Sequence, residues 1–373
     1  MKFVIAPDKF KGSLTGFEFC NAVENGIRQV IPSAEIIKMP LADGGDGTID
    51  VVQHYIKGEK TMVRVQDPLQ RPIDAPYLYS RESRIAYIEM AEASGLWLLS
   101  PNERNCMHTT TFGTGQLIAH ALELGAQELI LGIGGSATND GGMGMAMALG
   151  YRFLDVKGKE LEPIGANLIH VHTIEEDQKA KELEKVSVKI ACDVSNPFYG
   201  PNGAAYIYGA QKGASAAEIE LLDQGLRNFA HVIERTFNTP IHEVAGAGAA
   251  GGIGGGALVF LNASMASGID LIKELADFDN AIKGADWILT GEGQLDGQTL
   301  SGKTIDGVMK AAKAVKIPVA AFCGSLAIDR ELQEALGITY ATSIIKGIVN
   351  LEEAMEESFI NLEFAAYNFA QLL

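Results

Sequence analysis

Short apolar runs in this chain stop, time after time, in loops built from glycines and carboxylates. Lys2–Ala6 runs into Asp8-Lys9-Phe10-Lys11-Gly12-Ser13, and Glu35–Met39 into Ala42-Asp43-Gly44-Gly45-Asp46-Gly47. Glu128–Ile133 leads into the run Gly132–Gly142, Val188–Cys192 into Asp193, and Ala285–Thr290 into Gly291-Glu292-Gly293. Runs of this length, bounded by turn residues, fit buried strands. Helical periodicity follows the first two. Thr15-Gly16-Phe17-Glu18 supplies a capping box for a helix reaching about Val30, and a second helix ends near Ile56. Strand, loop and helix repeated in this order predict parallel pairing in an α/β sheet.

The pattern changes near residue 60. Residues 61–67, 74–80 and 85–90 are strand-like, separated by Pro68, Pro72 and Ser83, and predict an antiparallel meander. Helices at 115–124, 143–149 and 216–237 and strands at 128–133 and 188–192 follow. The first pattern resumes from about 284, with strands at 285–290, 318–322 and 338–345 and helices at 305–315, 328–336 and 352–372. At 373 residues the chain is longer than one ordinary domain. The expected fold class is α/β in two domains. One is a Rossmann/flavodoxin-like parallel-sheet domain from residues 1–60 and 284–373; the other is an inserted mixed α/β domain, 61–283. The active site is expected in the cleft between them, a common place for ligands.

Composition narrows the partners. The net charge of −17 repels nucleic acid and anionic lipid, so neither is expected to bind. An anionic substrate would need a local positive potential from amides, lysines or Mg²⁺. Cys20, Cys106, Cys192 and Cys323 form no CxxC, which fits reduced cytosolic thiols. No run reaches the ~18 apolar residues of a membrane span, and the N-terminus carries no signal-peptide apolar region. A cytoplasmic location is expected. The seven histidines form no HExxH motif, and Gly-x-Ser-x-Gly is absent, so metalloprotease and hydrolase readings lose support.

The loops themselves carry the chemistry. Asp8–Ser13 offers two lysines and a hydroxyl at a strand end, which suits either an anion or a solvated turn. Asp43 and Asp46, separated by glycines, can approach Mg²⁺ or a hydroxyl, or simply make a turn. Gly132–Gly142 holds five glycines with Ser136, Thr138, Asn139 and Asp140. Plain turns do not need that many, and an anion nest continued by a helix dipole fits. Asp193 could accept a substrate proton, hold Mg²⁺ or cap a turn. Gly297–Thr304 matches GxxxxGK[ST] letter for letter, but Gly291–Asp296 separate it from its strand and no Walker-B acid is evident. The weaker reading is that Ser301, Lys303 and Thr304 open a helix and bind phosphate. The run 246–256 follows no strand and reads as close packing or a hinge rather than a dinucleotide loop.

In order along the chain, APDKFKGSL (6–14), LADGGDGT (41–48), GIGGSATNDGG (132–142), ACDVSNPFYGPNGAA (191–205), GAGAAGGIGGG (246–256) and TGEGQLDGQTLSGK (290–303) resemble the type 1 glycerate kinase family. The resemblance spans nearly the whole chain. It implies ATP:glycerate phosphotransfer with Mg²⁺ on a two-domain α/β fold of its own, acting on small-molecule substrates alone. The expected product is 2-phosphoglycerate rather than 3-phosphoglycerate, and the assembly a monomer or homodimer.

The chemistry of phosphoryl transfer then assigns roles. Lys9, Lys11, Asp43 and Asp193 are the candidate catalytic residues. Lys9, Lys11 and Ser13 would hold the substrate carboxylate, with Asp8, Asp46, Gly291 and Glu292 also facing substrate. Gly134, Gly135, Ser136, Thr138, Asn139, Ser301 and Lys303 would bind nucleotide, and Asp43, Asp193 and Asp296 the metal. Two alternatives remain at this stage: a kinase for another small hydroxy acid or polyol, and a non-catalytic sugar-acid sensor. Repeated acidic loops count against the sensor, since a carboxylate binder gains nothing from them without a metal.

Overall fold

The structure, a computed structural model, describes residues 1–10, 12–43, 48–176, 178–297 and 304–373. It forms two compact units, Met1–Tyr55 with Gly268–Leu373, and Ile56–Ser267. In chain order the strands are β1 (Lys2–Ile5), β2 (Glu35–Lys38), β3 (Glu59–Gln66), β4 (Pro72–Ser80), β5 (Ile85–Glu89), β6 (Glu128–Gly132), β7 (Arg152–Leu154) and β8 (Thr173–Glu175). There follow β9 (Ser187–Ala191), β10 (Ser264–Ala266), β11 (Trp287–Thr290), β12 (Gln294–Leu295), β13 (Val319–Cys323), β14 (Ser325–Leu326) and β15 (Tyr340–Ser343).

The main sheet of the first unit is wholly parallel, in the order β15-β13-β11-β1-β2. Numbered within that sheet alone, this is 2-1-3-4-5, the flavodoxin-like order, and it reverses between β1 and β11. Ligands of such sheets bind outside the carboxyl ends at that switch point. Thr15 starts the helix Gly16–Val30 by accepting from the Glu18 amide while the Glu18 carboxylate accepts from the Thr15 amide. Phe19, Val23 and Ile27 share one face of it and pack into a core with Phe3, Ile5, Phe322 and Phe369. The helices Gly268–Leu275 and Thr304–Val315 pack together, so residues 268–283 join this unit.

One helix expected over 352–372 is two, Leu351–Glu356 and Ser358–Ala370. The break falls where the hydroxyls of Ser358 and Ser13 both reach the Met355 carbonyl, at 2.8 and 3.0 Å. Side-chain donors compete with helical amides for such a carbonyl.

The second unit's large sheet runs β10-β9-β6-β5-β4-β3. Its β3-β4-β5 part is the antiparallel meander, and β5, β6, β9 and β10 are parallel. Its core gathers Ile88, Leu129, Leu131 and Ile190 with the rings of Phe153, Phe229 and Phe260. The glycine run 246–256 opens the helix Ala249–Phe260, in which Ala250, Gly251 and Gly252 hold φ of 53°, 78° and 89°. A Cβ on Gly251 would overlap the Thr138 carbonyl oxygen, so the run serves close packing against the Gly132–Gly142 loop. Among the described residues no helix is long and apolar enough to cross a membrane.

Candidate active site

In the first unit the loops after β1 and β11 meet at the switch point. The Asp8 amide donates to the Gly291 carbonyl at 2.9 Å, extending the pairing beyond the strands. The Asp8 carboxylate accepts from the Lys9 amide at 2.7 Å and from the Thr304 hydroxyl at 2.8 Å. Burial pushes the Asp8 carboxyl above the usual range. The Thr304 bond opposes that rise, and the negative charge of Asp43 adds to it. Asp8, Asp43, Gly291 and Thr304 are therefore brought together at strand ends. The Glu292 carbonyl accepts from the Gly324 amide at 3.2 Å, and Asp296 accepts from Gln294 at 3.3 Å.

Ser13 is placed differently from its neighbours. Its hydroxyl lies 2.6 Å from the Ser358 hydroxyl as well as 3.0 Å from the Met355 carbonyl. A hydroxyl has one proton, and here the protein already uses it. Lys11, Asp46, Ser301 and Lys303 lie outside the described residues.

In the second unit the Gly132–Gly142 loop is held from several sides. The Gly135 carbonyl accepts from the Leu96 amide, the Ala137 amide donates to the Ser94 carbonyl, and the Gly141 amide to the Gly251 carbonyl. Thr109 donates its hydroxyl to the Ala137 carbonyl at 2.9 Å. Gly134 and Gly135 are exposed, whereas Ser136, Thr138, Asn139 and Asp140 are buried. The amides of Gly134, Gly135 and Ser136 meet no acceptor among the described residues. Nor do Thr138 Oγ1 and both amide atoms of Asn139 find a partner there. Buried groups of this kind are normally met by ordered water or a ligand.

The helix dipole expected to reinforce this loop is not available to a ligand. The helix Met143–Ala148 has six residues. Its leading amides are met by Asp140, which accepts from Gly142, Gly144 and both the amide and hydroxyl of Thr111. Burial raises the Asp140 carboxyl despite these four donors. Asp140 is thus a structural cap, and the exposed amides left without an acceptor lie before it, at Gly134 and Gly135.

Sequence reasoning missed Lys212. Its ammonium is buried, 3% exposed, and donates to Ser136 Oγ at 2.7 Å and to the Thr138 carbonyl at 2.8 Å. Burial lowers its pKa to about 8. Its only sequence signal was a lysine set between small residues in Gly209-Ala210-Gln211-Lys212-Gly213. Asp193 is exposed just past β9, and Lys9 and Asp43 are half-buried.

Among the described residues no group of three or more His, Cys, Asp or Glu side chains has metal-ligand placement. A Mg²⁺ shared with substrate phosphates needs only one or two carboxylates. Asp43, half-buried and near enough to Asp8 for its charge to raise that carboxyl, fits that requirement.

A sequence profile described as the glycerate kinase family matches residues 3–373. The chain is 44% identical to the glycerate kinase of Halalkalibacterium halodurans, covering 98% of this chain and 97% of the relative. It is 40% identical to the glycerate 2-kinase of Escherichia coli K12, over 100% of this chain and 98% of the relative. A crystal structure provisionally described as glycerate kinase 2 from Salmonella typhimurium LT2 superposes with a TM-score of 0.90 at 40% identity, covering 100% of this chain and 98% of that one.

Proposed function

This chain belongs to the glycerate kinase family, and on that premise we propose that it transfers the γ-phosphoryl group of ATP to D-glycerate, forming 2-phosphoglycerate. The observation that carries the reading is the carboxylate pair Asp8 and Asp43 beside Thr304 at the switch point of a parallel sheet. Phosphoryl transfer asks a protein for positioning and charge balance more than for covalent chemistry. Lys9 holds the glycerate carboxylate. Burial makes Asp8 a stronger base than an ordinary carboxylate, which suits it to receive the proton of the attacking hydroxyl. It has lone pairs to spare beyond the two bonds it accepts. Glu292 faces substrate, and Asp193 orients the acceptor. The amides of Gly134 and Gly135, with Ser136, Thr138 and Asn139, hold phosphoryl oxygens.

Asp43 would hold the metal in this proposal; the expected set of three with Asp193 and Asp296 is not formed among the described residues. Mg²⁺ supplies neutralisation of the β- and γ-phosphate charge when bound. An ADP-release assay over D-glycerate, tartronate, glycerol and dihydroxyacetone, with and without Mg²⁺, tests the reading. ADP formation with glycerate and Mg²⁺ is expected. Binding without turnover, or turnover of a polyol in preference to glycerate, would sink it.

A further inference from the structure

Beneath the Gly134–Asn139 loop lies an ammonium that the roles above leave unused. Lys212 donates to Ser136 Oγ at 2.7 Å and to the Thr138 carbonyl at 2.8 Å. A hydroxyl carries one proton and two lone pairs. Because Lys212 can only donate, it takes a lone pair of Ser136 and forces the Ser136 proton elsewhere. No described residue accepts that proton. The neighbouring amides of Gly134 and Gly135, exposed to solvent, also lack an acceptor among the described residues. Three donors at one bend of the chain are therefore left without an acceptor among the described residues. The bend is held at its far end as well, because the Thr138 carbonyl that accepts from Lys212 is also the atom packed against Gly251.

We propose that Lys212 is a positioning residue for the nucleotide: it turns the Ser136 hydroxyl into a committed donor to a phosphoryl oxygen that the Gly134 and Gly135 amides also hold. The inference rests on the reading that this loop takes the phosphates of ATP. Lys212 does not touch the ligand; its charge reaches it through the Ser136 hydroxyl. A hydrogen bond polarised in this way is stronger than one between neutral partners. In a chain of net charge −17, a buried cation also offsets the cost of bringing a polyanion to the surface.

Steady-state kinetics with ATP and glycerate varied separately test this. Ser136→Ala should raise KM for ATP about tenfold, the worth of a charge-assisted hydrogen bond, with KM for glycerate within about twofold. Lys212→Met should raise KM for ATP at least as far. Ser136→Ala should then add nothing in the Lys212→Met background, since the two act as one unit. If Lys212→Met does not fold, Ser136→Ala alone decides. An unchanged KM for ATP in Ser136→Ala, or a rise in KM for glycerate instead, overturns the inference. Gly134→Ala separates this from the loop reading. Its Cβ would have open space around it within the protein, so only a ligand there would feel it. A raised KM for ATP in Gly134→Ala with none in Ser136→Ala defeats the role of Lys212 alone. No change in either defeats the loop reading as well.

Discussion

Thr304 donates its hydroxyl proton to Asp8 at 2.8 Å, tying the start of the helix Thr304–Val315 to the loop after β1. The bond stabilises the charged carboxylate and so works against burial, which raises the Asp8 pKa. Thr304→Val should raise that pKa further. If Asp8 receives the substrate proton, it must be ionised to act. The acidic limb of kcat/KM against pH should therefore move to higher pH in Thr304→Val. Asp8→Asn should lose about 100-fold or more in kcat, the usual worth of a positioned base, with its melting temperature retained within a few degrees.

Ser13 offers a contrast, because its proton is shared between Met355 and Ser358. Ser13→Ala should cost about 1 kcal/mol of stability, the net worth of an ordinary hydrogen bond, read by chemical denaturation. KM for glycerate should stay within about twofold, since the hydroxyl has no proton left for a carboxylate.

Gly251 is the tightest point under the Gly132–Gly142 loop. With φ at 78° and the Thr138 carbonyl where a Cβ would stand, Gly251→Ala has to move backbone. It should destabilise by about 3 kcal/mol or more, and the surviving folded protein should show weakened ATP affinity. A neutral result in urea unfolding would mean that the loop is not clamped.

The Lys212 ammonium, with its pKa lowered by burial to about 8, sets a pH test. Below that value it is charged and supports the Ser136 donor; as pH rises through it the charge is lost. KM for ATP should therefore climb above about pH 8 and stay flat in Lys212→Met. The ionisable groups facing it are Cys106, pushed up by burial to about 11, and Asp140, also raised by burial. Stability carries the opposite sign. Between about 8 and the usual 10.5 the unfolded chain binds the lysine proton and the native chain does not, so this residue's destabilising contribution fades as pH rises.

Much of this was legible in the residues because strands that end in glycine and carboxylate leave a local signature. The meander at 61–90 and the parallel pairs followed from period and turn chemistry, which act over a few residues. Other features depend on contacts distant in sequence. Lys212 meets Ser136 across 76 residues, and no local pattern marks a lysine for burial. The helix Ala249–Phe260 defies propensity, since glycine is among the poorest helix formers. It stands because those glycines allow Thr138 and Gly141 to lie against it. Asp140 looked like a ligand group in a ligand loop, and only its four donors reveal a cap.

In the proposed reaction the phosphoryl group lands on the 2-hydroxyl of glycerate. Proton-coupled ³¹P NMR of enzyme, ATP, Mg²⁺ and D-glycerate tests it directly, because phosphorus on a CH–O group is split into a doublet and on a CH₂–O group into a triplet. The expected result is ADP together with one new phosphomonoester doublet. A triplet would contradict the 2-hydroxyl assignment, and no new phosphomonoester signal at all would contradict the function.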